Sequence, residues 1–486
     1  MKKIRIMALA SLMAVALGSP SCTKDFEEMN TDPNRSIAAT PEALLAPALH
    51  RLVANNLDRA LRVSNELMQV HVTTINSREF HRYNIRPSES DFMWRNWYLQ
   101  LTNIRDMYKS ASATQQPGYK TYMGISLILD AWVSSLITDM FGDVPYSESN
   151  KGKEGIIQPK FDKQQDIYRD LFLKLEEANT LLTENTNLPS TATSLDPLYG
   201  GSALAWRKFG NSLYLRLLLR VSGKPETNAA AKIKEIAETN KAKYPIMETN
   251  EESAVLRFTP TPPLTSEFFN YREFDFNGDK GYTEFFINNL NAWSDPRRDK
   301  WATLSGGNFI GMVSGYEPGQ VPDRQSYPKK ELMNEPLLGN ILNYPEVQFI
   351  LAEAALKGYI SGSPKTYYDK GVESAITFWG LVVPTDHLTK EEVKWNETET
   401  FDQKMETIHL QKYYTLFFTD FQSWYEFRRT GHPVLPKGPG LLNNGEMPSR
   451  FRYPISVQAL NTANYDAAVA SMGGPDDINT KVWWDQ

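Results

Sequence analysis

The chain has 486 residues, a formal net charge of -6 and 41% hydrophobic residues, enough for a globular protein with a sizeable core. No basic stretch tracks a phosphate backbone, which excludes nucleic acid as a partner. The single cysteine excludes an internal disulfide.

Lys2, Lys3 and Arg5 precede an apolar run, Ile6 to Leu17, broken only by Ser11 and closed by Gly18-Ser-Pro-Ser21. A spanning helix needs about 20 apolar residues, so this run is too short. Basic, apolar, small is the order of a cleaved secretory signal, here residues 1–21. Cys22 follows at the cleavage point. A thiol exposed at a new N-terminus is reactive. Acylation removes it and adds an anchor, each buried methylene contributing about 0.8 kcal/mol. Cys22 is therefore the expected lipidation site, although Ser19 and Pro20 depart from the usual lipobox. Residues 22–39 form a polar, acidic tether with no helical face. No later run approaches spanning length, so the body is expected to be soluble and only tethered. Length alone suggests about three domains, or one larger helical unit.

The helical body begins at Thr40-Pro41, with Thr as N-cap and Pro at the first helical position. Leu44, Leu45, Ala48, Leu49 and Leu52 follow at helical spacing, and the pattern continues towards Val72. It fails from Thr73 to Asp91, a polar stretch with interleaved arginines and aromatics that reads as a long, functional loop. Phe92–Ser112 and Tyr119–Met140 are expected helices. Asp162 with Gln165 has the form of a capping box for a helix to about Leu182. Ser202 caps a helix carrying Trp206, Phe209, Leu213 and Leu217. Thr227–Lys243 is a weaker one, which ends the first part of the body at residue 244.

Residues 245–342 differ, being rich in Gly, Pro and aromatics without sustained period. They read as a loop-rich insertion with a few short strands and one helical piece near Thr283–Leu290. The second part of the body, 343–486, opens on a helix with Val347, Ile350, Leu351, Ala354 and Ala355 on one face. Ser363-Pro364 starts its antiparallel partner after a short loop. A small residue at the crossing with large ones around it resembles a tetratricopeptide pair, without a clean repeat elsewhere. Thr389 with Glu392, and Thr400 with Gln403, have the form of further capping boxes. The fold class is mainly α, with tetratricopeptide-like helical pairs and the irregular insertion.

No G-x-S-x-G, H-E-x-x-H, P-loop or dinucleotide turn is present, and the six histidines do not pair at helical spacing. The expectation is a binding protein without a catalytic centre. Asp275, Asn277 and Asp279 alternate as in a calcium loop, but Phe286 stands at the twelfth position and Lys280 at the turn glycine. Asn277-Gly278 also reads as a hairpin turn. Calcium is the only ion the pattern suggests. The remaining candidates are aromatics, whose faces stack on sugar rings, beside polar groups that bond hydroxyls. Off the helices these are Arg78, His81 and Tyr83 in one stretch, and Tyr271, Phe274, Tyr282, Trp301 and Tyr316 in the other. Packing of loops onto the core is the competing role for each ring.

Several separated segments resemble the SusD/RagB family of outer-membrane nutrient-binding lipoproteins. They are Phe26 to Asn34 after the cysteine, Phe141-Gly-Asp-Val-Pro-Tyr-Ser-Glu148, Trp206 to Arg216, Glu346 to Gly358 with Tyr367 to Val372, Trp424 to Pro433, Arg450 to Pro454, and Gly474 to Trp484. The resemblance implies a tetratricopeptide-like helical body, a lipid anchor at Cys22 and a place on the exterior face of the outer membrane. It also implies a TonB-dependent β-barrel transporter (SusC-like) as partner and an oligosaccharide, or in some members a peptide, as ligand. It does not locate the ligand site. A surface glycoside hydrolase is the more distant reading.

Overall fold

The first helix, α1 (Pro41–Arg59), has Thr40 as N-cap and a proline in its first turn. It buries Leu45, Ala48, Leu49, Leu52, Val53 and Leu57 on one side, the stripe expected of an amphipathic helix. A π turn (Ala60–Ser64) and one more helical turn (Asn65–Leu67) prolong it. The structure, a computed structural model, describes residues 39–76, 79–184 and 186–486. Cys22, the signal and most of the acidic tether lie outside these residues, as does Arg78. Thr40–Gln486 forms one compact unit.

Two long antiparallel neighbours follow, α2 (Ser90–Thr114) and α3 (Tyr119–Phe141), and then α4 (Gln164–Leu181) and α5 (Ala203–Arg220). Each packs on the next in the series, and α1 lies against α2. α3 is apolar enough in length and composition to cross a membrane, yet its apolar window is entirely buried by protein. It is the central core helix. Ser202 caps α5, its side chain accepting from the Ala205 N–H. The short α6 (Ala229–Lys234) ends in a π turn.

The insertion holds three short helices, α7 (Glu273–Asn277), α8 (Glu284–Ala292) and α9 (Pro296–Trp301). The body resumes with α10 (Tyr344–Leu356) and α11 (Pro364–Thr377), then α12 (Phe401–Thr415) and α13 (Gln422–Thr430). Two small helices, α14 (Ile455–Leu460) and α15 (Thr462–Ser471), close the chain. At the α10–α11 crossing Gly371 sits against Phe349, where a Cβ would lie 2.8 Å from the ring. This is the expected small residue of a tetratricopeptide-like pair. Asn343, Ser363 and Thr400 cap α10, α11 and α12, the last in a full capping box with Gln403.

Three two-stranded antiparallel ladders stitch the insertion and loops to the body. β1 (His71–Thr73) pairs with β5 (Lys280–Tyr282), β2 (Val144–Pro145) with β3 (Phe161–Asp162), and β4 (Ala254–Val255) with β6 (Asn340–Leu342). The first sets His71 opposite Tyr282, so the insertion is brought to the C-terminal end of α1.

Buried charges join the two parts of the body. Arg216 on α5 donates to Glu346 on α10 at 2.6–2.7 Å. Arg220 reaches Asp139 on α3 at 2.6 Å and Glu426 on α13 at 3.1 Å. Within the second part, Arg429 on α13 donates twice to Glu353 on α10, at 2.6 and 2.7 Å, and once to Glu426 at 2.7 Å. Burial opposes ionisation of Glu353 and Glu426, but Arg429 and the neighbouring cations hold both carboxyls well below their ordinary range.

Some local expectations fail for identifiable reasons. Asp162 does not cap α4, because its carboxylate is taken by the Tyr146 and Ser147 N–H groups. Asp143 serves instead, accepting from the Gln164 N–H at 2.9 Å. Thr389 and Glu392 open no helix; the chain there makes a 3-10 turn at His387–Thr389 and then turns. Asn277-Gly278 forms no hairpin, because Asn277 ends α7 and β5 pairs with distant β1.

Candidate functional site

Asn55, Asp58 and Arg59 stand at i, i+3 and i+4 on α1 and Arg62 follows on the π turn, together a polar stripe beside the helix's buried face. They form one wall of a cleft of about 530 Å³. The loop before α2 supplies Glu79, Phe80, Asn84, Arg86 and Glu89, the first turn of α2 supplies Phe92, and the insertion supplies Glu267 and Tyr271. The two stretches that combine aromatics and polar groups in the sequence thus meet over α1.

Asp58 organises the wall. It accepts from Arg59 Nη2 at 2.5 Å and from Arg62 Nε at 2.6 Å. The Tyr271 hydroxyl donates to its Oδ1 at 3.3 Å and accepts from Arg62 Nη2 at 3.2 Å. Arg59 in turn lies 4.1 Å over the Phe92 ring, a cation–π contact that fixes both groups. Glu79 is held by Arg82 and Asn84. Glu267, by contrast, makes no hydrogen bond or ion pair among the described residues; burial, then the nearby Asp58 charge, push its carboxyl up. Half-buried rings (Phe80, Phe92, Tyr271) alternate with donors and acceptors around the cleft, the mix that suits a molecule with apolar faces and hydroxyl edges.

Of the rings expected at a site, Tyr271 lines this cleft and Phe274, 71% exposed, stands in solvent. The others are interior. Tyr282 and Trp301 are fully buried: the tyrosine stacks on Phe286 at 4.9 Å and donates to the Trp301 carbonyl at 3.2 Å, and Trp301 stacks on Phe417 at 4.4 Å. Tyr316 packs on His81 at 4.5 Å and donates to the Thr73 carbonyl at 2.7 Å. His81 Nδ1 accepts from the Gly315 N–H at 3.3 Å. Tyr83 is 3% exposed. These five rings pack the insertion and the 73–91 loop onto the helices and present no open face.

The calcium pattern is also dispersed. Asp275 pairs with Arg272 at 2.7 Å, buried Asn277 donates to the Pro328 carbonyl at 2.8 Å, and Asp279 pairs with Lys280 at 2.7 Å. Asp275 and Asn277 lie on α7, where alternate residues do not share a face. Among the described residues, Glu353, His409 and Glu426 have metal-like spacing, but Arg429 and Lys412 already neutralise the two carboxylates. Sequence reasoning missed Asp58, Arg59, Arg62, Phe92 and Glu267. The stripe on α1 was the available signal.

The family model described as SusD-like, starch-binding and associating with the outer membrane, matches residues 33–454. A solved SusD homologue from Bacteroides fragilis NCTC 9343 is 21% identical, with 92% of this chain and 100% of that one covered and a TM-score of 0.79. A structure described as a chitin-binding protein is 25% identical, over 90% of this chain and 99% of its own, with a TM-score of 0.76. A chitin-binding SusD homologue from Flavobacterium johnsoniae is 20% identical, over 90% and 98%, with a TM-score of 0.77. No curated protein sequence matches. The family match takes in the whole of the cleft and nearly all of the helical body, and the chain belongs to the SusD-like family.

Proposed function

We propose that this protein is a non-enzymatic surface lipoprotein that captures an oligosaccharide in the α1 cleft and delivers it to a TonB-dependent outer-membrane transporter. The observation that carries the reading is the cleft itself, in which Tyr271, Phe80 and Phe92 alternate with charged and amide groups on a rigid helix. Sugars need both kinds of contact, since their ring faces are apolar and their edges carry hydroxyls. The family description and the two chitin-binding relatives support a glycan over a peptide. In this reading residues 1–21 are removed, acylated Cys22 anchors the chain, and residues 22–39 hold the body off the lipid at the cell exterior. The insertion, 245–342, is then the ligand-side subdomain, because it contributes Glu267 and Tyr271.

Titration calorimetry with maltoheptaose, chitotetraose and a set of short peptides tests the reading. Binding of a glycan that Tyr271→Ala weakens about tenfold, or about 1.4 kcal/mol, is the expected result. Binding of peptides alone assigns a peptide-capturing role, and turnover of a bound glycan makes the protein a hydrolase.

A further inference from the structure

Every acidic wall group of the cleft but one is engaged. Asp58 is bonded by Arg59, Arg62 and Tyr271, Glu79 by Arg82 and Asn84, and Glu89 faces Arg59 at 3.8 Å. Glu267 is half-buried and has no hydrogen-bond or ion-pair partner among the described residues, although Arg51, Arg59 and Arg62 lie near enough to act on it through space. A carboxylate has about four acceptor positions, and leaving them unfilled away from bulk water is costly. No described group donates to it, so its acceptor positions are open to solvent and to the hydroxyls of a ligand that displaces solvent from the cleft.

We infer that Glu267 sets the selectivity of the cleft by accepting hydrogen bonds from neutral sugar hydroxyls and turning away acidic glycans. The inference rests on the reading of the cleft as the glycan site. Neighbouring hydroxyls on a sugar ring present two donors side by side, which suits the two oxygens of one carboxylate. Uronic-acid sugars meet the opposite situation. Asp58, Glu79, Glu89 and Glu267 outnumber Arg59, Arg62 and Arg86 on the walls. Arg59 and Arg62 are already bound to Asp58, and Arg86 also has a partner. None of the three lining arginines is left uncommitted to receive an incoming carboxylate, Arg51 stands exposed beyond the lining, and Glu267 repels the anion.

Calorimetry on the wild type, Glu267→Gln and Tyr271→Ala, with maltoheptaose, chitotetraose and tetragalacturonate, tests this. Glu267→Gln should fold normally, since it removes no contact, and a thermal melt at or above the wild-type value checks that. The expected result is a neutral probe bound by the wild type and weakened about tenfold by Glu267→Gln, the size of one charge-assisted hydrogen bond. Tetragalacturonate should bind the wild type at least tenfold more weakly than the neutral probe and gain on Glu267→Gln. Unchanged affinity in Glu267→Gln beside a loss in Tyr271→Ala overturns the role of Glu267 and leaves the site standing. Tight wild-type binding of tetragalacturonate overturns the selectivity. Binding of none of the probes, or affinities that neither variant alters, overturns the reading of the cleft and the role of Glu267 with it.

Discussion

Replacing Arg429 by Met tests how much the buried charges that tie α10 to α13 contribute to the stability of the body. The Arg429 side chain is 6% exposed and its guanidinium makes three bonds of 2.6–2.7 Å to Glu353 and Glu426. Met keeps much of the volume but leaves two buried carboxylates short of a cation. Breaking a buried pair from one side costs about 3–5 kcal/mol. Lys357 still reaches Glu353 at 2.7 Å, and Lys412 reaches Glu426 at 2.8 Å, which puts the cost near the lower end, about 3 kcal/mol. At about 2.1 cal/mol/K per residue, a unit of about 450 residues unfolds with an entropy near 0.9 kcal/mol/K, so the melting temperature should fall by about 3 °C at pH 7. The pH dependence has a definite sign. Both carboxyls are depressed in the folded protein, so their contribution is present above the ordinary glutamate value and is lost as pH falls through the folded values. Removing Arg429 raises those values, and the variant therefore loses its share at a higher pH. The gap between the two proteins should be widest near neutrality and close in strong acid. Calorimetric melts from pH 7 down to about pH 2 read both quantities. A drop below 1 °C at pH 7, or a gap that does not narrow in acid, refutes the reasoning.

Other perturbations give distinct readouts. Asp420 is fully buried with Oδ2 unbonded, and burial pushes it up to about 7. Stability should thus fall as pH rises from about 4 to about 7, and Asp420→Asn should stabilise at pH 8 more than at pH 5 in urea titrations. Gly371→Ala places a methyl against Phe349 and should cost about 1–3 kcal/mol by the same assay. Cys22→Ala should leave the thermal melt unchanged and move the protein from the membrane fraction to the soluble one; retention in the membrane fraction rules out acylation as the anchor.

The helices were legible because period and cap agree on them. Ser202, Ser363 and Thr400 each close a real first turn, and the apolar stripes expected on α5 and α10 are buried. Caps were misread where another group competed for the same side chain, as the Tyr146 and Ser147 amides do for Asp162. The insertion was legible in kind and not in detail. Without a period, nothing local distinguishes Tyr271, which faces the cleft, from Tyr282, which faces the core. Tyr282 is turned inward by the pairing of β5 with β1, more than two hundred residues upstream. Hence the rings selected from sequence divided between surface and interior. The wall residues Asp58, Arg59 and Arg62 could be seen as a polar stripe, but a stripe acquires meaning only when Glu267 and Tyr271 arrive over it.

The division of labour in the cleft also explains how the fold relates to its ligand. One wall belongs to α1, whose opposite face is core, and the π turn at Ala60–Ser64 lies within that wall beside Arg59 and carries Arg62. π turns recur at functional positions because they reset the direction of the groups around them. The other two walls are segments without regular period, free to change length and residue type while the helices stay fixed. Solved relatives at 20–25% identity keep TM-scores of 0.76–0.79, as expected when buried stripes and ion pairs, not the loops, specify the fold. Ligand identity should therefore follow the residues at 79–92 and 267–271 rather than overall likeness. Exchanging these two segments between this chain and a relative should move sugar preference with them and leave the helical scaffold intact.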